Sequence, residues 1–432
     1  AQLHLEVQSS LLEYAGYAYR DISLEADFTR ESIIAGLDIT DTNLVVSAEA
    51  KALFTDTLPL FEARVDVKGA ALRALHLTSR SISTRGSLRT RFSGNTLDNL
   101  QGELLLSNLY LIEVGSQYEV DSLQITLENP ESSTHFSLYS EPFQADYGGT
   151  IKPGELLATS RHIVDRYFAL DADPLPKADT TGFFKFDIDI RNTELLSNMI
   201  WPELKGFLPG RVIGRYNAST EKLEIDADFP AIRYKNQSVD SLRFSMNASD
   251  TGALRYHLEF LRLASPPFVI GRTDISGKVA NDKMNLTLHI AGVREEEKFL
   301  VKGEAYRQGK DLRIHIIPDP LRINYHNFTL PDSNYIHIGG EQLHFEDFVL
   351  RSGDQLMELR NRYDTSGVEQ GYLLRFAAFE LSNLFGIVEK KNDIVDGRLS
   401  GSLIFSMGEE SSVFHANMSI TDVLISNREA FD

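Results

Sequence analysis

Gly271-Arg272-Thr273-Asp274-Ile275-Ser276-Gly277-Lys278-Val279 carries the parts of a phosphate-cradling loop, with two glycines for close backbone approach and a lysine behind the second. It has one residue too many between the glycines, and Val279 stands where a hydroxyl should hold magnesium, so the stretch reads as a strand with a turn. Eleven histidines offer metal ligands, and His315, His326, His337 and His344 are the densest group. No helical His-Glu-x-x-His spacing occurs, so solvent-facing strand histidines are expected, with no metal and no cofactor. A Gly-x-Ser-x-Gly nucleophile elbow is absent, and the carboxylate pair Asp187/Asp189 falls on the polar side of an alternating strand, where acids solvate a sheet. No catalytic residue emerges, and the chain reads as a non-enzyme. Asn217, Asn236, Asn247, Asn285, Asn327 and Asn417 open Asn-x-Ser/Thr triplets, glycan acceptors in a secreted eukaryotic chain and chance matches elsewhere.

Alternation is the pattern that must position any site. Phe184-Lys185-Phe186-Asp187-Ile188-Asp189-Ile190, Met284-Asn285-Leu286-Thr287-Leu288-His289-Ile290 and Leu312-Arg313-Ile314-His315-Ile316 each place apolar side chains on one face of a strand and polar ones on the other. The same habit marks Leu123/Ile125/Leu127, Phe136/Leu138, Leu223/Ile225, Leu242/Phe244/Met246 and Phe414/Ala416/Met418/Ile420. Turn signals are frequent, among them Gly148-Gly149, Asn281-Asp282 and Ser352-Gly353-Asp354. At about 12 to 16 residues per strand and turn, the chain would hold about 27 to 36 strands and a single ribbon would run about 130 to 170 Å. Two helices are expected: 155–168, with Leu156, Ile163, Val164, Tyr167 and Phe168 on one face, and 193–201, capped by Asn192 and stopped by Pro202.

Composition narrows the partners. In 432 residues, 43 Lys and Arg face 62 Asp and Glu, and a formal charge of −19 repels phosphate backbones and anionic bilayers. Nucleic acid is excluded as a partner on that ground. With 42% hydrophobic and 24% charged residues, the chain has ample material for a fold. Cysteine is absent, so neither disulfides nor thiolate metal sites can form. No run approaches the ~18 apolar residues of a transmembrane helix, and the first residues lack the pattern of a signal peptide. Both ends read as cut, which suggests a piece of something longer.

One phrase occurs twice. Tyr118-Glu119-Val120-Asp121-Ser122-Leu123-Gln124-Ile125 returns as Gln237-Ser238-Val239-Asp240-Ser241-Leu242-Arg243-Phe244, a sign of repeated architecture. Its fixed place favours a strand-starting turn followed by a core leucine over a bacterial O-glycan acceptor. A second phrase, Leu196-Ser197-Asn198 before Gly210-Arg211-Val212-Ile213-Gly214, returns as Leu381-Ser382-Asn383 before Gly397-Arg398-Leu399-Ser400-Gly401. A related start, Gly86-Ser87-Leu88-Arg89, follows Ala71-Leu72-Arg73-Ala74-Leu75, and the apolar spacing before each glycine predicts a short helix. The organisation expected is a partial β-repeat at 1–60, units at 61–180 and 181–370, and a truncated unit at 371–432.

These motifs, together with Gln342-Leu343-His344-Phe345-Glu346-Asp347-Phe348-Val349-Leu350-Arg351-Ser352-Gly353-Asp354-Gln355, give a chain that resembles the TamB-like proteins of the translocation and assembly module. The resemblance implies a mainly β fold: an elongated, curved, repetitive sheet, open like a taco, with a few short helices and an apolar concave face between the two membranes of a diderm bacterium. It implies a periplasmic location, an inner-membrane anchor outside this sequence, and a partner barrel of the BamA family (TamA-like) in the outer membrane. The function it implies is non-enzymatic phospholipid transport between the membranes, outer-membrane protein assembly, or both. Under that reading Leu104, Leu106, Leu123, Ile125, Phe184, Phe186, Ile188, Leu242, Phe244, Leu286, Leu288, Ile314 and Phe414 line a lipid groove, and the two helices plug, gate or merely cap it. The alternative is a structural scaffold or adhesin whose apolar faces close on each other as a sealed core.

Overall fold

The computed structural model describes residues 2–54, 58–96, 98–113, 115–129, 133–168, 181–191, 197–198, 201, 203–249, 252–266, 268–292, 294–308, 311–339, 342–363, 369–386, 393–407 and 412–427. It is mainly β: 31 strands and two α-helices occur among the described residues, within the range that strand-plus-turn spacing predicts. Every pairing between described strands is antiparallel, as the turn-rich alternation requires. The chain divides into two compact units, one built from 1–159, 178–202 and 208–219, the other from 160–177, 203–207 and 220–432.

In the first unit twelve strands pair as a continuous meander. They run Leu3–Tyr14, Tyr17–Phe28, Ser32–Thr40, Leu44–Leu53, Leu60–Ala71, Ile82–Ser93, Gln101–Glu113, Ser116–Glu128, Thr134–Ser140, Phe143–Gly149, Phe183–Ile190 and Gly210–Asn217. The second unit continues the habit from Lys222–Tyr234 and Gln237–Ser249 to Gln342–Glu346, followed by a five-stranded sheet from Phe348–Ser352 to Ser412–Asn427. The expected unit boundary at 370/371 falls inside the strand Glu369–Glu380.

The repeated Val-Asp-Ser-Leu does not start a strand. Asp121 and Asp240 lie well inside Ser116–Glu128 and Gln237–Ser249. In each copy one cross-strand position is left unpaired, Asn108 facing Asp121 and Pro230 facing Ser241, and the backbone turns left-handed at Asn108 (φ 51°) and Ser241 (φ 53°). Neighbouring strands slip register beside the first copy, between Val67 and Ala70 and between Arg85 and Ser87, so the irregularities line up as a crease. Asp347 (φ 44°), Gly397 (φ 151°) and Asp422 (φ 53°) mark similar breaks later in the chain. Asp, Asn and Gly concentrate there because they enter the left-handed region at the least steric cost. Bulges of this kind bend a strand and re-aim its side chains. Accordingly, Leu104 and Leu106 occupy even positions while Leu109 and Leu111 beyond Asn108 occupy odd ones.

Helix α1 spans Leu156–Tyr167, close to the expected 155–168, after a single 3-10 turn at Pro153–Glu155. It buries Ile163 and Tyr167, and the Tyr167 carbonyl accepts a hydrogen bond from the Asp282 amide at 3.2 Å. Helix α2 is the five-residue Leu381–Phe385. The segment 72–76 is a turn and not the short helix expected from Leu72 and Leu75: a left-handed His76 (φ 60°) ends it after one turn, too short to propagate. Most of 192–202, where the other helix was expected, lies outside the described residues.

Candidate functional site

Cross-strand register assembles the predicted apolar positions into single faces. In the first unit Leu104 pairs with Ile125 and Leu106 with Leu123; Ile125 then faces Leu138, Leu138 faces Ala145, and Ala145 faces Ile188. A parallel row runs Leu127, Phe136, Tyr147, Phe186 and Gly214. Upstream the face continues through Leu88, Val65, Ala48, Leu37, Leu24 and Val7, each opposite the next. In the second unit Phe229 faces Leu242, and Phe244, Leu258, Ile275, Leu288 and Val301 form one row. Leu286 faces Gly303, and Ile314 faces Ala305 on the same side. In the five-stranded sheet Phe414 lies opposite Phe405, with ring centroids 5.1 Å apart.

These faces are not sealed. Of the thirteen predicted positions only Phe184 is buried, at 6% exposure; Leu286 is 36% and Phe414 62% exposed, and the other ten are half-buried. Side chains packed between two sheets would fall well below a tenth, as Phe299, Phe328 and Phe379 do at 2%. Water is nonetheless partly excluded: burial pushes the Tyr147 phenol up to about 12, with Glu155 adding to the effect, and its hydroxyl donates to the Ile151 carbonyl at 2.7 Å.

Aromatic rings pave part of the face. Phe184 stacks on Phe186 at 6.1 Å and sits 5.6 Å from Tyr216. The Phe186 ring lies over Gly214, the second glycine of Gly-Arg-x-x-Gly: a Cβ placed there would come within 2.3 Å of ring carbons Cε1 and Cζ. Glycine at that position lets a cross-strand ring lie flat, which explains part of the repeated motif. Tyr147, Tyr216 and the alanines Ala48, Ala50, Ala52 and Ala63 also belong to the face, although residue type alone does not single them out. Their only sequence signal is their place in the period-two pattern.

The opposite face is charged and internally paired. Arg211 hydrogen-bonds Asp187 and holds that carboxyl below the usual carboxylate range; Glu62 meets Arg91 at 3.2 Å and Glu304 meets Lys283 at 2.6 Å. Asp187, expected to solvate the sheet, is instead engaged in an ion pair with Arg211. Depressions on this face measure about 830 Å³ beside Arg64, Arg89 and Glu103 and about 600 Å³ beside His135, Lys185 and Arg215. A twisted sheet is saddle-shaped, so its polar face is concave along one diagonal as well.

The remaining motifs meet in structural roles. The Gln355 Oε1 atom accepts from Asn383 Nδ2 at 2.8 Å and from the Glu380 amide at 3.1 Å, while Arg398 Nη1 donates to Asp354 at 2.6 Å. Gly353-Asp354-Gln355, Leu381-Ser382-Asn383 and Gly397-Arg398, far apart in sequence, therefore converge beside a buried cluster of Leu321, Phe328, Leu330, Leu350, Phe376, Phe379, Leu381 and Leu399. Of the dense histidine group, His337 and His344 are cross-strand partners with rings 5.5 Å apart, His315 bonds the Asp332 carbonyl at 3.1 Å, and His326 lies apart beside Glu380. The loop-like stretch from Gly271 is chiefly the strand Thr273–Ala280, in keeping with its reading as a strand. No protein-family model and no curated protein sequence matches the chain.

Proposed function

We propose that this chain is a non-enzymatic conduit segment that carries phospholipid along its apolar faces between the two membranes of a diderm envelope. In this reading it works in the periplasm with an outer-membrane barrel of the BamA family, and it also serves outer-membrane protein assembly. The observation that carries the proposal is the row-by-row alignment of apolar side chains that stay half-exposed. Moving a two-chain lipid through water exposes about 30 methylenes at about 0.8 kcal/mol each, on the order of 25 kcal/mol in all. An apolar strip removes much of that barrier without any reacting group.

The closed scaffold remains the second reading because of one observation, the sealed cluster around Phe328 and Phe379 in the second unit. Photo-crosslinkers at Phe186 and Ile188, with Asp187 as the polar-face control, separate the two in cells of a diderm host. The conduit predicts phospholipid adducts at 186 and 188 and few at 187. Equal capture at all three positions, or none, favours the scaffold.

A further inference from the structure

We propose a divalent transition-metal site on the polar face of the second unit, formed by His257, Glu259 and Asp274. His257 and Glu259 are two residues apart on Ala253–Phe260 and so project from the same face, and Asp274 on Thr273–Ala280 is the direct cross-strand partner of Glu259. One donor atom from each lies within 4.8 Å of the others, and all three residues are half-buried. His257 Nε2 is already hydrogen-bonded to Asp274 Oδ2. Tetrahedral zinc, with bonds of about 2.0 to 2.2 Å, needs ligand atoms about 3.4 Å apart, so small side-chain rotations close the set.

The neighbouring strands suit an incoming cation. Glu259 now meets Arg243 Nη1 at 3.0 Å, but Arg243 Nε also reaches Asp228 at 3.7 Å, so the guanidinium keeps a partner when Glu259 turns to the ion. His289 is the cross-strand partner of Asp274 on Lys283–Ala291, but its Nε2 lies 3.9 Å from Glu297, so the protein ligands are the three named and water completes the shell. Two carboxylates and imidazole nitrogen favour zinc or a similar ion over magnesium or calcium, which take oxygen ligands. The bound ion would tie Ala253–Phe260 to Thr273–Ala280. The site stands apart from lipid carriage, because it lies on the charged face.

The test uses the whole chain, stripped by chelator and titrated calorimetrically with zinc, then with magnesium, followed by elemental analysis after gel filtration. The expected result is about one zinc per chain and much weaker magnesium binding, with affinity for zinc falling about tenfold or more in His257→Gln, Glu259→Gln and Asp274→Asn. His4→Gln, at a histidine–aspartate pair in the first unit, should bind as the parent does. Arg243→Met, which removes the competing cation, should bind zinc at least as tightly. Far-UV circular dichroism checks that each variant is folded, and the three ligand variants test the site independently if one is not. Absence of stoichiometric zinc, or binding unchanged in folded Asp274→Asn and Glu259→Gln, overturns the proposal.

Discussion

Gly214→Ala is the most direct probe of how the apolar face is paved. The new Cβ would sit 2.3 Å from Phe186 Cε1 and Cζ, well inside van der Waals contact, so the ring must swing off the sheet. Overpacking of this kind costs about 1 to 3 kcal/mol. Gly214 has no positive φ, so alanine itself suits the strand and returns about 0.5 to 1 kcal/mol. Phe186→Ala alone removes a half-buried ring and should cost about 2 kcal/mol, near half the figure for a fully buried phenylalanine. In the double variant the clash is gone while the benefit of alanine stays, so its destabilisation should fall short of the sum of the singles by the clash itself, about 1 to 3 kcal/mol. Urea unfolding followed by circular dichroism measures all four proteins. Additivity within about 0.5 kcal/mol would refute the claim that Phe186 lies on Gly214.

Asp41 offers a pH test: burial works to raise its pKa, but the Tyr17 hydroxyl and the amides of Asn43 and Arg20 outweigh it and hold the carboxyl below its ordinary 3.8. Its ionised form therefore stabilises the fold above about pH 4, and that contribution is lost as pH falls through the lowered pKa. Asp41→Asn should lower the urea midpoint at pH 7, and the gap to the parent should close on acidification; a gap independent of pH would contradict this account. Gln355→Leu should destabilise the second unit by about 2 kcal/mol, because it leaves the buried Asn383 amide and the Glu380 N–H without their acceptor. An unchanged melting temperature in differential scanning calorimetry would show that these motifs do not meet as described.

Much of the fold was legible because period two is a local property. Leu123 and Ile125, or Leu286 and Leu288, declare their shared face by spacing alone, and register then adds the neighbours. Creases were harder to see. Asp121 and Asp240 look like turn residues, and the backbone is irregular beside them, at Asn108 and Ser241, yet strand pairing resumes on both sides and the chain does not reverse. The short helix expected before Gly86 was overestimated: Leu72 and Leu75, at helical spacing, belong to a single turn at 72–76. Three side chains of the proposed metal site escaped notice because His257 and Glu259 meet Asp274 only through strand pairing.

Sequence alone determined that this is a β protein whose strands alternate apolar and polar residues, with repeated phrases, no cysteine chemistry and a formal net charge of −19. It did so because alternation, composition and charge are additive along the chain. Only the tertiary structure decided which apolar residues lie opposite one another from strand to strand, that the apolar faces stay partly open, and that Gln355 meets Asn383 and Arg398 meets Asp354. Pairing register, ring-over-glycine contact and the convergence of distant motifs depend on residues that are neighbours in space and not in sequence, which no local pattern encodes.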